Sequence, residues 1–79
     1  MRLNVGCTLE EARKLNPELI AKCSEWIEQN GYMDAHGEAS NDPFDIAVEC
    51  AYDLNIVSEE VGYDIPVYLI QLAEEKIKS

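Results

Sequence analysis

Residues 8–31 read TLEEARKLNPELIAKCSEWIEQNG, and the punctuation within them decides the fold class. Thr8 followed three residues later by Glu11 has the form of a capping box, which predicts a short helix over about 9–15. Asn16-Pro17 then opens a second helix. An Asn side chain can accept from an otherwise unsatisfied backbone N–H, and proline loses nothing at the first helical position, where its missing N–H has no intrahelical partner. Leu19, Ile20, Cys23, Trp26 and Ile27 recur at spacings of three and four and form one apolar stripe, and Asn30-Gly31 ends the helix.

Working outward, residues 31–41, GYMDAHGEASN, carry two glycines and no periodic apolar pattern, which predicts a long loop after the second helix. Asp42-Pro43 repeats the cap-and-proline start, so a third helix is expected to run to about Leu54, before Asn55. It places Phe44, Ala47, Val48, Ala51 and Leu54 on one side and Asp45, Glu49 and Asp53 on the other. The stretch IVSEEVGYDIP reads as either a short helical turn behind Ser58 or an extended piece. A last helix from about Pro66 to Lys78 turns Leu69, Ile70, Ala73 and Ile77 inward and Gln71, Glu74, Glu75 and Lys78 outward. Met1 to Cys7 reads as extended or irregular. The expectation is an all-α fold, a single-domain bundle of about four helices over residues 1–79.

Charge is distributed unevenly. The net charge is −10, from 16 acids against 6 bases, on a chain that is 47% hydrophobic. That much apolar material supports a core, so the chain is acidic without being disordered. Arg2, Arg13, Lys14 and Lys22 lie near the start, and Lys76 and Lys78 lie at the end. No Lys or Arg falls between Cys23 and Glu75, a stretch that holds every acid except Glu10, Glu11 and Glu18. Exposed helices ordinarily mix both signs to gain pairing at i, i+4. The 3 cysteines form no CxxC pair and are odd in number; they read as reduced thiols, Cys23 and Cys50 being small residues on apolar helix faces. No apolar run reaches membrane-spanning length, and MRLNVGCTLEE has no hydrophobic signal segment. A cytoplasmic protein, not bound to a membrane, is expected.

Catalytic and metal chemistry find little support. His36 is the sole histidine, and no Ser or Cys sits in a nucleophile elbow or triad context. The twelve-residue loop from Asp34 to Asp45 has Asp34, His36 and Glu38 at the first, third and fifth positions of a calcium loop, but Ala39 stands where the turn demands glycine and Asp45 where a bidentate Glu belongs. Neither an enzyme nor a metal or cofactor site is expected. The run DPFDIAVE resembles the attachment motif of acyl carrier proteins, with Asp42, Asp45 and Glu49 matching. Pro43 stands where that family has serine, so the resemblance implies a degenerate carrier without a phosphopantetheine.

What remains is the anionic surface itself. Acids four residues apart on a helix repeat every ~6 Å along its axis, a spacing of the same order as that of phosphates along a nucleic-acid strand. Such a surface attracts the Lys/Arg groove of a nucleic-acid-binding protein through the steering and ion release that drive non-specific DNA binding. In size, acidity and helical makeup the chain resembles small phage-encoded inhibitors that imitate DNA, among them anti-CRISPR and anti-restriction proteins. That resemblance implies a protein of the host-cell cytoplasm that occupies the DNA channel of a CRISPR effector complex without catalysis. The expected partner-binding residues are Glu25, Glu28, Asp34, Glu38, Asp42, Asp45, Glu49, Asp53, Glu59, Glu60 and Asp64. The partner is a basic nucleic-acid-binding protein, not nucleic acid itself, and the chain is expected to be monomeric. The alternative is an acidic adaptor or carrier-like domain that docks on a basic protein, with Tyr32, Met33 or Tyr63 as apolar anchors.

Overall fold

The computed structural model describes residues 4–30, 42–57 and 64–78. They form four α-helices, α1 (Leu9–Leu15), α2 (Pro17–Asn30), α3 (Pro43–Asp53) and α4 (Val67–Lys78). The all-α bundle expected from the sequence is the fold observed. The proposed loop over 31–41 lies outside the described residues, as do Tyr32, Met33 and Tyr63, and so does the turn considered behind Ser58.

Local chemistry sets the helix boundaries. Thr8 is the N-cap of α1, with its hydroxyl accepting from the Glu11 N–H at 3.3 Å while the Glu11 carboxylate accepts from the Thr8 N–H at 3.4 Å. Asn16 serves two helices. Its N–H donates to the Ala12 carbonyl at 2.8 Å, ending α1, and its side-chain oxygen accepts from the Leu19 N–H at 3.3 Å, opening α2. Asp42 caps α3 by accepting from the Phe44 N–H at 3.0 Å. The far end of α3 closes in a Schellman motif: Ile56 N–H donates to the Ala51 carbonyl at 2.8 Å and Asn55 N–H to the Tyr52 carbonyl at 3.2 Å. This requires a left-handed residue, and Asn55 supplies it at φ 62°.

The start of α4 is held from a distance. Its Val67 N–H donates to the Val5 carbonyl at 2.9 Å, and the Gln71 side chain in return accepts from the Leu9 N–H at 2.7 Å. The segment ahead of α1 makes a turn at Val5 and Gly6 and is thereby fastened along α4. α4 packs against α1, α2 and α3, and its contact with α3 is the most extensive. Ile20, Cys23 and Ile27 of α2, Ile46, Ala47, Cys50 and Ala51 of α3, and Tyr68, Leu69, Leu72 and Ala73 of α4 meet in one core with Ala12 and Val57. Ile70 and Ile77, expected to face inward, are partly buried at its margin.

The orientation of α3 differs from expectation. Its buried residues are Ile46, Ala47, Cys50 and Ala51, so Ala47 and Ala51 face inward as expected, and the inward face extends from them to Ile46 and Cys50 and not to Phe44 and Val48. Phe44 is 49% exposed and Tyr52 48%. The reason is that α3 carries apolar residues around most of its circumference, leaving two arcs able to face the core.

Candidate functional site

At 100° per residue, Asp45, Glu49 and Asp53 form a row that drifts by about 40° at each step of four. Asp45 is exposed, Glu49 is half-buried and Asp53 is exposed again. The drift carries Asp53 toward α2, where its carboxylate accepts a hydrogen bond from the Trp26 indole N–H. Asp53 is thus an anion and also the polar clasp between α2 and α3. Asp42 stands at the head of the row as the cap of α3, so it combines exposure with a structural bond.

Four described bases are paired on the other helices. Arg13 pairs with Glu75 at 2.8 Å, joining α1 to α4; Lys78 pairs with Glu74 at 3.3 Å, and Lys14 with Glu10 at 3.8 Å. Lys76 reaches across to Glu28 of α2. Two helix flanks of α2 are therefore chemically distinct: the one bearing Trp26 meets the acidic α3, and the one bearing Glu28 meets a lysine. Of the expected partner-binding residues, the fold brings Asp45, Glu49 and Asp53 together with Asp42 on one helix. Glu25 points outward from α2, accepting from Gln29 at 3.0 Å. Glu28 is drawn into its ion pair. Asp64 is exposed ahead of α4. Asp34, Glu38, Glu59 and Glu60 lie outside the described residues.

Three links were missed in the sequence: Trp26 with Asp53, Lys76 with Glu28, and a second row on α3. Phe44, Val48 and Tyr52 stand one residue ahead of the acids at each step, so an apolar row runs beside the acidic one, rotated by about 100°. The first two links join residues far apart in the chain, and no local pattern announces them. The third has an i, i+4, i+8 spacing, but the sequence reading groups Phe44 and Val48 with Ala47, Ala51 and Leu54 and gives Tyr52 no place.

Beneath this surface lie three buried thiols and a buried phenol. Cys7, Cys23 and Cys50 are free and buried. Cys23 and Cys50 hydrogen-bond across the α2–α3 contact; that bond, then burial, holds the Cys50 thiol far above its ordinary range, while Cys23, favoured as the acceptor, is lowered. Burial pushes Cys7 up as well. Tyr68 is pushed up to about 12, by burial first and then by the neighbouring thiols. Buried groups raised in this way, Cys7, Cys50 and Tyr68, are poor nucleophiles near neutral pH. Among the described residues no group of His, Cys, Asp and Glu is arranged to hold a metal ion, and no helix is long and apolar enough to cross a membrane. Comparison with family models, with curated proteins and with solved structures finds no match.

Proposed function

We propose that the protein is a DNA-mimicking inhibitor of the anti-CRISPR kind, whose acidic face enters the DNA channel of a CRISPR effector complex and blocks target recognition. The observation that supports this reading is the segregation of charge. Lys and Arg side chains pair with Glu10, Glu28, Glu74 and Glu75 on α1, α2 and α4, whereas α3, which carries no base of its own, presents Asp45, Glu49 and Asp53 along two helical turns. A rigid row of anions repeating at ~6 Å offers a basic groove regular contacts without the flexibility of a tail. Rigidity matters because ordering a mobile acidic segment would cost conformational entropy on binding.

The test uses purified CRISPR effector complexes of several types, with target-DNA binding followed by gel shift as the protein is added. The parent should suppress DNA binding by at least one complex. The variant Asp45→Asn, Glu49→Gln, Asp53→Asn keeps shape and hydrogen-bond acceptors while removing charge, and should lose most of that effect. Equal potency of parent and variant would sink the reading. The protein alone should not shift duplex DNA even at low salt, since like charges repel; a clear complex with DNA would contradict the decoy mechanism. The carrier alternative has no hydroxyl at the start of α3, where Pro43 sits, and mass measurement after incubation with a phosphopantetheinyl transferase should find no added group.

A further inference from the structure

The apolar row on α3 is not explained by imitation of DNA. Phe44 and Tyr52 are half-exposed, Val48 between them is partly so, and a groove that reads phosphates gives such side chains nothing to bury against. We propose that α3 docks a basic amphipathic helix of a partner protein, with that helix's Leu, Ile or Met side chains against Phe44, Val48 and Tyr52 and its Lys or Arg side chains against Asp45, Glu49 and Asp53. The proposal deepens the decoy reading by naming the element of the partner that receives the face, and it rests on that reading only in requiring a basic protein as partner.

Geometry favours a helix over a loop or strand. Both rows on α3 advance at i, i+4, i+8, so each spans about 12 Å, and they lie about 100° apart around the axis. A partner helix laid alongside repeats its own side chains at the same pitch, so apolar and cationic positions one residue apart meet the two rows in register. Charge complementarity selects the sign. An acidic or neutral amphipathic helix would satisfy the apolar row but would bring no opposite charge to the acidic one. A second copy of this chain is disfavoured for the same reason, since two molecules each carrying −10 would bring acid rows side by side. The apolar row also supplies what an acidic face alone lacks. Contacts between exposed charges are screened over about 10 Å at 0.1 M salt, whereas burial of aromatic side chains is not, and interface hot spots are enriched in such residues.

The probe is a synthetic 15-residue Leu/Lys peptide with Leu at i, i+4, i+8 and Lys beside each, compared with an oligolysine of equal charge. Dissociation constants come from fluorescence anisotropy at low salt and at 0.3 M NaCl. The Leu/Lys peptide should bind at least tenfold more tightly than oligolysine and keep most of that advantage at the higher salt. The double variant Phe44→Gln, Tyr52→Gln should reduce it to the oligolysine level. Amide shift changes in the parent, which need no substitution, should centre on α3. Equal affinity for the two probes, an unaffected double variant, or shifts centred elsewhere would each overturn the proposal. So would sedimentation showing that the parent self-associates and that the double variant does not, because the occupant would then be a second copy. The two readings fail separately. Peptide results as expected with no inhibition of any effector complex would remove the decoy alone. Inhibition lost in the charge-neutral variant but untouched by Phe44→Gln, Tyr52→Gln would leave the decoy and remove the helix.

Discussion

Asp53 shows how one side chain can serve the fold and the surface together. Its carboxylate holds the Trp26 indole N–H across the α2–α3 contact, so replacing it by Ala removes a charge-assisted bond at a solvent-exposed site. The expected cost is about 1 kcal/mol, toward the low end for a bond to a charged group. Asn at the same place keeps an acceptor and should cost less. Trp26 is the one tryptophan of the chain, so its emission reports the change directly: Asp53→Ala should shift the native emission, and Asp53→Asn should shift it less. Identical spectra and unfolding midpoints in all three proteins would show that the bond carries no weight. Tyr68 makes a second prediction at this scale. Its pKa is raised to about 12 in the folded protein, against about 10 when unfolded. A raised folded value means that the stabilisation is complete below about pH 10 and is lost as pH rises toward 12. The loss should be on the order of 2 kcal/mol, and the raised Cys7 thiol acts in the same direction. Thermal unfolding midpoints taken from pH 8 to pH 11.5 should fall steeply over the last two units; a flat profile would mean the phenol and the Cys7 thiol ionise without hindrance in the native state.

Helix boundaries depend on a few backbone groups, and Asn16 controls two of them. Because it ends α1 and caps α2, Asn16→Ala should destabilise by about 1 kcal/mol, whereas Asn16→Asp retains the acceptor and should be nearly neutral; urea unfolding distinguishes the two. At the end of α3, Asn55 occupies the left-handed region at φ 62°. Asn55→Gly should therefore be neutral or slightly stabilising, and Asn55→Val should cost about 1–2 kcal/mol. Equal midpoints for Gly and Val would refute the Schellman closure. These same caps explain why three helix starts were legible: Thr8 with Glu11, Asn16-Pro17 and Asp42-Pro43 satisfy orphan N–H groups locally, so sequence-adjacent residues carry the signal. The first residue of α4 is Val67, one later than the expected start, and its donor goes to Val5, a tertiary bond that leaves no mark beside it in the chain. The acidic row on α3 was readable from its spacing alone. Its apolar neighbour is not legible in the same way because Phe44 and Val48, like Ile46 and Cys50, have helical spacing, and only tertiary packing chooses which arc is buried.

Among the described residues, the ion pairs lie on α1, α2 and α4 and the acidic row lies on α3, and salt acts on attraction and repulsion with opposite sign. The ion pairs of Arg13, Lys14 and Lys78 are exposed on both sides, and pairs of that kind contribute about 0–1 kcal/mol each, i, i+4 pairs about 0.3–0.5. Lys76 is better shielded, with its side chain 20% exposed, but Glu28 opposite it is 61% exposed, so that pair too is open to screening. Against these small gains stands the mutual repulsion of 16 acids with only 6 bases to offset them, and a chain of this size has little stability in reserve. Repulsion should win. Raising NaCl from about 10 mM to 0.3 M shortens the screening length from roughly 30 Å to well under 10 Å, which weakens the many longer-range like-charge terms more than the few close contacts. The folded state should gain on the order of 1 kcal/mol, an increase of about 4–8 °C in the unfolding midpoint for a domain of this length. The same change should weaken binding of any basic partner through the acidic row. Chloride is the right anion for the measurement, because sulfate would strengthen apolar burial as well and confuse the two effects. A midpoint that stayed level or fell with salt would show that the ion pairs of α1, α2 and α4 dominate the charge balance.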